Sequence, residues 1–236
     1  MRRIEKGLEP GCLADLRATP GADWSSVHGT QRQEMRERAF AEQGGLCAYC
    51  MSRLPTRPSD AGTAKPSDAG MKIEHFETRA LMPEKKFEWS NLLGVCLGAV
   101  GIEEGGFHCD TYRGHLKPPE VQRLPLNPAT FPPDVGTFFS YTHQGDIKPA
   151  SGLTETARVD AETMIKRLNL NIDRLRRNRQ GVIGVLRAGF QKKKPTKARV
   201  AELLELASKP DHAGLLQPYC QAAMYYLDKK RRQLGG

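Results

Sequence analysis

The sequence predicts an α+β protein, in which a small cysteine-containing module precedes a mainly helical C-terminal domain with one short hairpin. Four of the six cysteines fall between positions 47 and 109, a short extended piece lies between them, and apolar residues recur at helical intervals after position 150. The length of 236 residues and the 39% hydrophobic content allow a sizeable core. We expect an irregular N-terminal arm at residues 1–30, the cysteine-containing module at 31–118 and the helical domain at 119–236.

The first helix of the module follows from local capping signals. Residues 1–30 are rich in Gly and Pro, with Trp24 as their only large aromatic residue, which predicts an irregular segment. Thr30 and Gln33 then have the spacing of a capping box, and apolar residues follow at helical intervals. The pair at 44–45 is Gly-Gly, which predicts the end of that helix.

The middle of the module alternates between loops and short ordered pieces. Residues 55–70 contain two copies of Pro-Ser-Asp-Ala-Gly, which is typical of a low-complexity loop. An extended piece is predicted at 73–76, and the segment 88–93 leads to Cys96. After a Gly-rich stretch, residues 108–114 predict a turn that enters a short helix.

The second half predicts one hairpin and four helices. Residues 137–141 and 146–148 flank His-Gln-Gly, a plausible hairpin turn. The helices are predicted from apolar stripes, with Asn171 capping the second and Thr196 capping the third. The stripes comprise Ala157, Ala161, Ile165 and Leu168 in the first helix, Ile172, Leu175, Val182, Ile183, Leu186 and Phe190 in the second, Val200, Leu203 and Leu204 in the third, and a last helix at about 215–234.

The positive charge of the chain is concentrated in one segment. The net charge is +9, from 36 basic and 27 acidic residues. Residues 158–199 hold 13 Lys and Arg against 3 Asp and Glu, a net of +10, so the rest sums to −1. A polyanionic partner would explain the excess, although charge alone favours a solvated helix face.

Composition also excludes several classes of protein. No apolar run approaches the length that spans a bilayer, and the polar N-terminus lacks the apolar region of a secretory signal. Six cysteines are too sparse for a disulfide scaffold. We therefore expect a cytoplasmic protein with reduced thiols and no membrane partner.

The cysteines predict a structural zinc site. Cys47 and Cys50 have the CxxC spacing of half a tetrahedral site, and Cys96 and Cys109 supply two more thiols. A redox-active pair is the alternative for the CxxC motif, but no βαβ pattern accompanies it. His108 adjoins the last cysteine, so it remains open whether this histidine replaces Cys109 or Cys96 as a ligand.

A second set of polar residues lies between the two cysteine pairs. Glu74 and His75 are adjacent on the predicted extended piece, so their side chains are expected on opposite faces. Asn91 follows, and Asp110 comes directly after Cys109. Carboxylate oxygens are the ligands that Mg²⁺ prefers, and a neutral imidazole suits a general base. These residues form a usable hydrolytic set.

Four stretches of the chain resemble HNH endonucleases with a zinc-bound ββα-metal fold. They are Gly45-Leu-Cys-Ala-Tyr-Cys50, Ile73-Glu-His-Phe76, the segment from Phe87 to Cys96, and Cys109-Asp-Thr-Tyr-Arg-Gly114. More narrowly, the chain is similar to the HNH subunit of Septu-type anti-phage systems and to retron-associated effectors. Pro125-Leu-Asn-Pro128, Phe139-Ser-Tyr141 and Leu168-Asn-Leu-Asn171 resemble that group too.

The resemblance implies a role for each matching residue. His75 matches the general base, Glu74 and Asp110 match ligands of Mg²⁺ or Mn²⁺, and Asn91 matches the residue that supports the loop carrying the base. The four cysteines, Cys47, Cys50, Cys96 and Cys109, match the zinc ligands. The resemblance also implies a metal-dependent nuclease, with DNA as the preferred substrate, that works beside an ABC/SMC-like ATPase in a defence complex.

Further contacts are predicted less specifically. Arg113 matches a position that is commonly basic and is expected to touch a phosphate or simply lie on the surface. Arg176, Arg177, Lys192 and Lys193 are the candidates for tracking a nucleic-acid backbone. Residues 1–30 are the candidate docking arm. Two alternatives remain: a zinc-stabilised nucleic-acid-binding module without catalysis, and an adaptor for the ATPase.

Overall fold

The computed structural model describes residues 1–57, 65–66, 70–98, 106–131 and 135–235, which form helices and short strands. The first copy of Pro-Ser-Asp-Ala-Gly, the middle three residues of the second copy and most of the predicted Gly-rich stretch lie outside the described residues. In the described part the α-helices are α1 (Gly11–Ala18), α2 (Gly29–Glu42), α3 (Cys109–Gly114), α4 (Glu155–Arg167), α5 (Asp173–Lys192), α6 (Lys197–Ser208) and α7 (Cys220–Gln233). Among these described helices, none is both long and apolar enough to cross a bilayer.

The strands pair as antiparallel two-stranded sheets. They are β1 (Thr56–Arg57) with β2 (Lys65–Pro66), β3 (Lys72–His75) with β4 (Leu92–Val95), and β5 (Phe139–Tyr141) with β6 (Ile147–Pro149). In the second pair His75 lies opposite Leu92 and Lys72 lies opposite Val95. The third pair confirms the predicted hairpin, in which Tyr141 lies opposite Ile147.

One hydrophobic core runs through all three predicted segments. Buried residues of the N-terminal segment, the cysteine-containing module and the C-terminal helices belong to a single cluster. Burying apolar surface in a shared core stabilises the segments together. The division of the chain at residues 30 and 118 therefore stays a prediction.

The N-terminal segment differs from the expected irregular arm. It forms helix α1, and Met1, Ile4, Leu13 and Leu16 are buried in the core. Leu13 and Leu16 are spaced three residues apart, so they share one face of the helix. This helix was not predicted because its apolar residues span only two turns, which is too short for a clear helical pattern.

Two predicted caps are wrong and one is confirmed. Helix α2 begins after His28, whose backbone N–H donates to the Gln31 side chain at 3.1 Å, rather than at Thr30. Helix α5 begins after Ile172 without a side-chain cap. The side chain of Thr196 accepts from the N–H of Arg199, as predicted for α6.

The starts of α5 and α7 also have structural causes. Asn171 does not cap α5 because its side chain forms hydrogen bonds with both the N–H and the carbonyl of Ile147, each at 2.9 Å. Helix α7 begins five residues later than predicted, after Tyr219, which lies in the left-handed region with φ of 56°. A residue in that conformation interrupts an α-helix.

Candidate active site and cysteine cluster

Four cysteines from separate parts of the fold converge. Cys47 and Cys50 lie on the turn that follows α2, Cys96 follows β4, and Cys109 opens α3. Glycines at 44 and 45 with positive φ allow the sharp turn after α2. The four sulfurs lie within 4.8 Å of one another. The described residues therefore contain a four-cysteine group that could hold a metal.

The sulfur spacing fits a tetrahedral zinc ion. The Sγ atoms of Cys47 and Cys109 are 3.9 Å apart, and those of Cys50 and Cys96 are 3.8 Å apart. Zn–S bonds of about 2.3 Å at tetrahedral angles give S···S edges of about 3.8 Å. Hydrogen bonds with Cys109 and Cys47 hold the pKa of Cys50 well below its ordinary value, whereas burial raises the pKa of Cys109. A bound cation is what would let all four thiols ionise together.

His108 lies beside this group rather than within it. Its Nδ1 is 3.1 Å from Sγ of Cys109, and its Nε2 is 2.5 Å from Nη2 of Arg174. Because Arg174 can only donate, Nε2 accepts and Nδ1 carries the proton that faces the sulfur. His108 thus links the cysteine group to α5, and the four-sulfur arrangement favours Cys96 and Cys109 as the ligands.

The C-terminal half supports the cysteine group directly. The N–H of Cys109 donates to the carbonyl of Leu168 at 2.8 Å, and Asn169 donates from its side chain to the carbonyl of Phe107. Cys109 lies in the left-handed region with φ of 53°, which costs a non-glycine residue energy unless its surroundings fix it. The segment after α4 therefore holds the turn that presents this cysteine.

The predicted hydrolytic residues line one cleft. Glu74 and His75 end strand β3, and Asp110 lies in the first turn of α3. These three line a cleft of about 690 Å³ together with residues of the N-terminal segment. The four-residue pairing of β3 with β4 and the short helix α3 therefore bring together side chains that are far apart in sequence.

Glu74 and Asp110 interact closely enough to shift each other's pKa. Burial raises the pKa of Glu74 well above its ordinary value, and the contact with Asp110 raises it further. Burial alone would raise the pKa of Asp110 too, but the hydrogen bond with Glu74 and the charge of Lys72 outweigh it, so that pKa is lowered. Lys72 Nζ lies 2.5 Å from Asp110 Oδ2. Two adjacent carboxyls supply hard oxygen donors that fit a divalent cation.

His75 has a defined tautomer. Its Nε2 lies 2.9 Å from the carbonyl oxygen of Lys86. A carbonyl can only accept, so Nε2 carries the proton and Nδ1 carries the lone pair. Burial lowers the pKa of His75 to about 4, so the ring is neutral at neutral pH. Within the described residues Nδ1 makes no hydrogen bond, which leaves it available to accept a proton.

Asn91 holds the loop that follows His75. Its Oδ1 accepts from the N–H of Glu77 at 2.7 Å, and its Nδ2 donates to the carbonyls of Glu77 and Lys85, each at 3.1 Å. The side chain is buried, so it uses three of its hydrogen-bonding positions on the main chain of one loop. Asn91 is thereby in a position to support the loop, as the resemblance implies.

Arg113 is buried and paired inside the protein rather than exposed on its surface. It is 1% exposed, and its Nη1 lies 2.6 Å from Glu74 Oε1. Its remaining donors bond the main-chain carbonyls of His75, Phe76 and Gln122. Burying a guanidinium requires such complete pairing. Arg113 therefore fixes the Glu74 carboxylate and the backbone around it.

The basic residues that were predicted to contact a nucleic-acid backbone differ in their ion pairs. Arg176 is paired with Asp146 at 2.8 Å and with Asp173 at 3.3 Å. Arg177, Lys192 and Lys193 are exposed, and within the described residues none of them has an ion pair. Three residues of the predicted set thus remain accessible to a polyanion.

Several residues of the cleft were not predicted from the sequence. Lys72 pairs with Asp110, and Trp24 packs against His75 with ring centroids 4.3 Å apart. Lys86 supplies the carbonyl that fixes the His75 tautomer. Only Trp24 carried a signal in the sequence, as the one large aromatic residue of the N-terminal segment. The other contacts depend on the tertiary fold.

Comparison with known proteins supports the HNH resemblance in general terms. No family model matches the chain. The chain is similar to an Escherichia coli protein named “Retron Ec83 putative HNH endonuclease”, with 27% identity across 78% of this chain and 79% of that protein. That name agrees with the HNH interpretation and with the retron part of the resemblance, and it makes no reference to Septu systems.

Proposed function

We propose that this protein is an HNH endonuclease that hydrolyses phosphodiester bonds, with a zinc-bound ββα-metal fold formed by β3, β4 and α3. The observation that carries the proposal is the arrangement of His75 in the cleft. Its Nε2–H donates to the Lys86 carbonyl, its Nδ1 makes no hydrogen bond with any residue that the structure describes, and the Glu74 and Asp110 carboxyls line the same cleft. The similarity to the retron protein supports the same function.

His75 acts as the general base in this mechanism. Its Nδ1 lone pair takes a proton from the water that attacks the scissile phosphate. The Lys86 carbonyl, which accepts the Nε2–H bond, stabilises the positive charge that the ring then carries. Asn91 keeps this carbonyl in place because it bonds the main chain at both ends of the same loop.

Glu74 and Asp110 would hold the catalytic Mg²⁺ or Mn²⁺. Such an ion supplies stabilisation of the phosphate charge and of the leaving oxygen. Arg113 orients Glu74 from the protein interior, and Lys72 lies beside Asp110 at the edge of the cleft. The four-cysteine group would hold zinc as a closed structural site, since four protein ligands leave no position for water.

We further propose DNA as the substrate and an anti-phage defence complex with an ABC/SMC-like ATPase as the setting. The net charge of +9 and the exposed Arg177, Lys192 and Lys193 support a polyanionic substrate. The retron name of the similar protein supports the defence setting. The Septu relationship and the ATPase partner rest on the resemblance of the sequence, and a cytoplasmic location rests on its composition.

The test compares two glutamate variants on plasmid DNA with Mg²⁺, with Mn²⁺ and with EDTA. Glu74→Gln removes a carboxylate from the cleft, and Glu84→Gln removes one from an exposed site nearby. We expect nicking that depends on the metal, survives in Glu84→Gln and falls at least about 100-fold in Glu74→Gln. Equal nicking by the two variants would contradict the assigned metal site, and a single-stranded RNA substrate run in parallel tests the preference for DNA.

A further inference from the structure

The imidazole of His75 is held from two sides. Its Nε2 donates to the Lys86 carbonyl at 2.9 Å. On another side the Trp24 ring stands nearly perpendicular to it, with centroids 4.3 Å apart and planes at 78°. Edge-to-face packing is a favourable arrangement of aromatic rings. Both groups line the same cleft as Glu74 and Asp110.

Lys86 lies in the loop that follows His75 and connects this loop to the N-terminal segment. Its Nζ donates to the carbonyl of Ala22 at 2.5 Å and lies 3.8 Å from Oδ1 of Asp23. The same residue therefore fixes the His75 tautomer through its main chain and anchors residues 22–23 through its side chain. A shift of the N-terminal segment would move both contacts together.

Trp24 is itself fixed in position. It is the first residue of a short 3-10 helix, and its main-chain carbonyl accepts from the N–H of Val27 at 3.3 Å. Its ring also packs against Phe87 with centroids 6.3 Å apart, and Arg17 of α1 donates to the carbonyl of Phe87 at 2.9 Å. Residues of α1 and of the 3-10 helix thus pack against the loop that carries the Lys86 carbonyl and form a hydrogen bond with it.

We propose that residues 22–24 form a wall of the catalytic cleft, with Trp24 and Lys86 as positioning residues for His75. The inference deepens the proposed function and rests on it. A neutral imidazole can exchange its tautomer or rotate about its side-chain bonds, and either change removes the Nδ1 lone pair from its place. The Lys86 carbonyl selects the tautomer, and the Trp24 ring occupies the space that a rotated imidazole would need. Orientation of this kind contributes to the rate of the chemical step rather than to substrate binding.

The test uses Trp24→Ala, Trp24→Phe and Lys86→Ala, with Lys148→Ala as the matched control. Lys148 is exposed on β6, outside the residues that line the cleft. For each variant we would measure kcat and KM for plasmid nicking, zinc content, thermal unfolding, and the ring nitrogen shifts of His75 by NMR. The nitrogen shifts report the tautomer without reference to catalysis.

We expect Trp24→Ala to lower kcat about 10-fold, with KM within about twofold of the wild type and zinc content unchanged. Its His75 signals should change from one Nε2–H tautomer to a mixture. Trp24→Phe should recover most of the rate because it keeps an aromatic edge. Lys86→Ala should lower kcat, as Trp24→Ala does, and Lys148→Ala should have the kcat of the wild type.

Two results would overturn the inference. One is a wild-type kcat per folded molecule in both Trp24→Ala and Lys86→Ala. The other is a His75 tautomer in Trp24→Ala that is unchanged from the wild type. If Trp24→Ala fails to fold, the kcat of Lys86→Ala decides, because this variant keeps the main-chain carbonyl and removes only the side-chain contacts with Ala22 and Asp23. If the wild type shows no cleavage, the proposed nuclease function fails, and the NMR signature alone decides whether Trp24 and Lys86 position the ring.

Discussion

Replacing one cysteine of the four-sulfur group should remove zinc and destabilise the whole fold. Cys96→Ser is the informative change, because it alters a ligand while leaving the other three sulfurs in place. A structural zinc site contributes about 10–16 kcal/mol of binding free energy. If each of four ligands accounts for about a quarter, the loss is about 2.5–4 kcal/mol. For a chain of this size that lowers Tm by about 5–16 °C.

Cys12→Ser provides the matched control for this variant. Cys12 is also buried and reduced, but it lies outside the sulfur group, and its Sγ donates to the carbonyl of Gln31. A serine hydroxyl can make the same bond, so the expected cost is about 1 kcal/mol, or about 2–4 °C.

The assay is zinc content by mass spectrometry together with thermal unfolding of the purified chain. We expect one zinc ion per chain in the wild type and in Cys12→Ser, and substoichiometric zinc with a lower Tm in Cys96→Ser. Metal-free wild-type protein, or full zinc occupancy in Cys96→Ser, would mean that the four cysteines do not form a zinc site.

Three further outcomes follow from the site. Arg113→Lys should lower the free energy of unfolding by about 3 kcal/mol in denaturant titrations, because a lysine cannot bond Glu74 and three carbonyls at once. An unchanged denaturation midpoint would contradict the buried pairing. Asn91→Ala should lower kcat for plasmid nicking at least about 10-fold with zinc content unchanged, since the loop loses its hydrogen bonds; a wild-type kcat would remove Asn91 from the mechanism. Arg177→Ala should reduce the slope of log affinity against log salt concentration for duplex DNA by about 0.9. Arg176→Ala should reduce this slope by less, because Arg176 is already paired with two aspartates. Equal slopes in the two variants would contradict this difference.

The parts of the fold that are set by local sequence were predictable. The hairpin at β5 and β6, the Thr196 cap and the general course of the C-terminal helices follow from turn residues, a short polar cap and apolar periodicity. The cysteine group was also predictable, because four thiols with a CxxC pair carry few other structural meanings. These features depend on neighbouring residues or on a distinctive residue type.

Other features depended on contacts that spacing does not encode. Asn171 has the residue type of a helix cap, yet it bonds the main chain of Ile147 across the fold. Arg113 has a residue type that suits a phosphate contact, yet it is buried against Glu74. A guanidinium can serve either role, and only the tertiary structure decides whether solvent reaches it.

The N-terminal segment shows the same limit most clearly. Its Gly and Pro content predicted an irregular docking arm, whereas helix α1 and the packed Trp24 make it part of the core and of the cleft. Partner docking by this segment stays a prediction. Its removal would expose the core and disturb His75, so a deletion would not separate docking from catalysis.

We propose that His75 is the general base of a metal-dependent endonuclease, and nicking of supercoiled plasmid measures this role. His75→Ala removes the Nδ1 lone pair, and His212→Ala makes the same change at an exposed position. We predict that the wild type and His212→Ala nick DNA in the presence of Mg²⁺, and that His75→Ala is at least about 100-fold slower at equal zinc content. Full Mg²⁺-dependent nicking by His75→Ala would contradict the account.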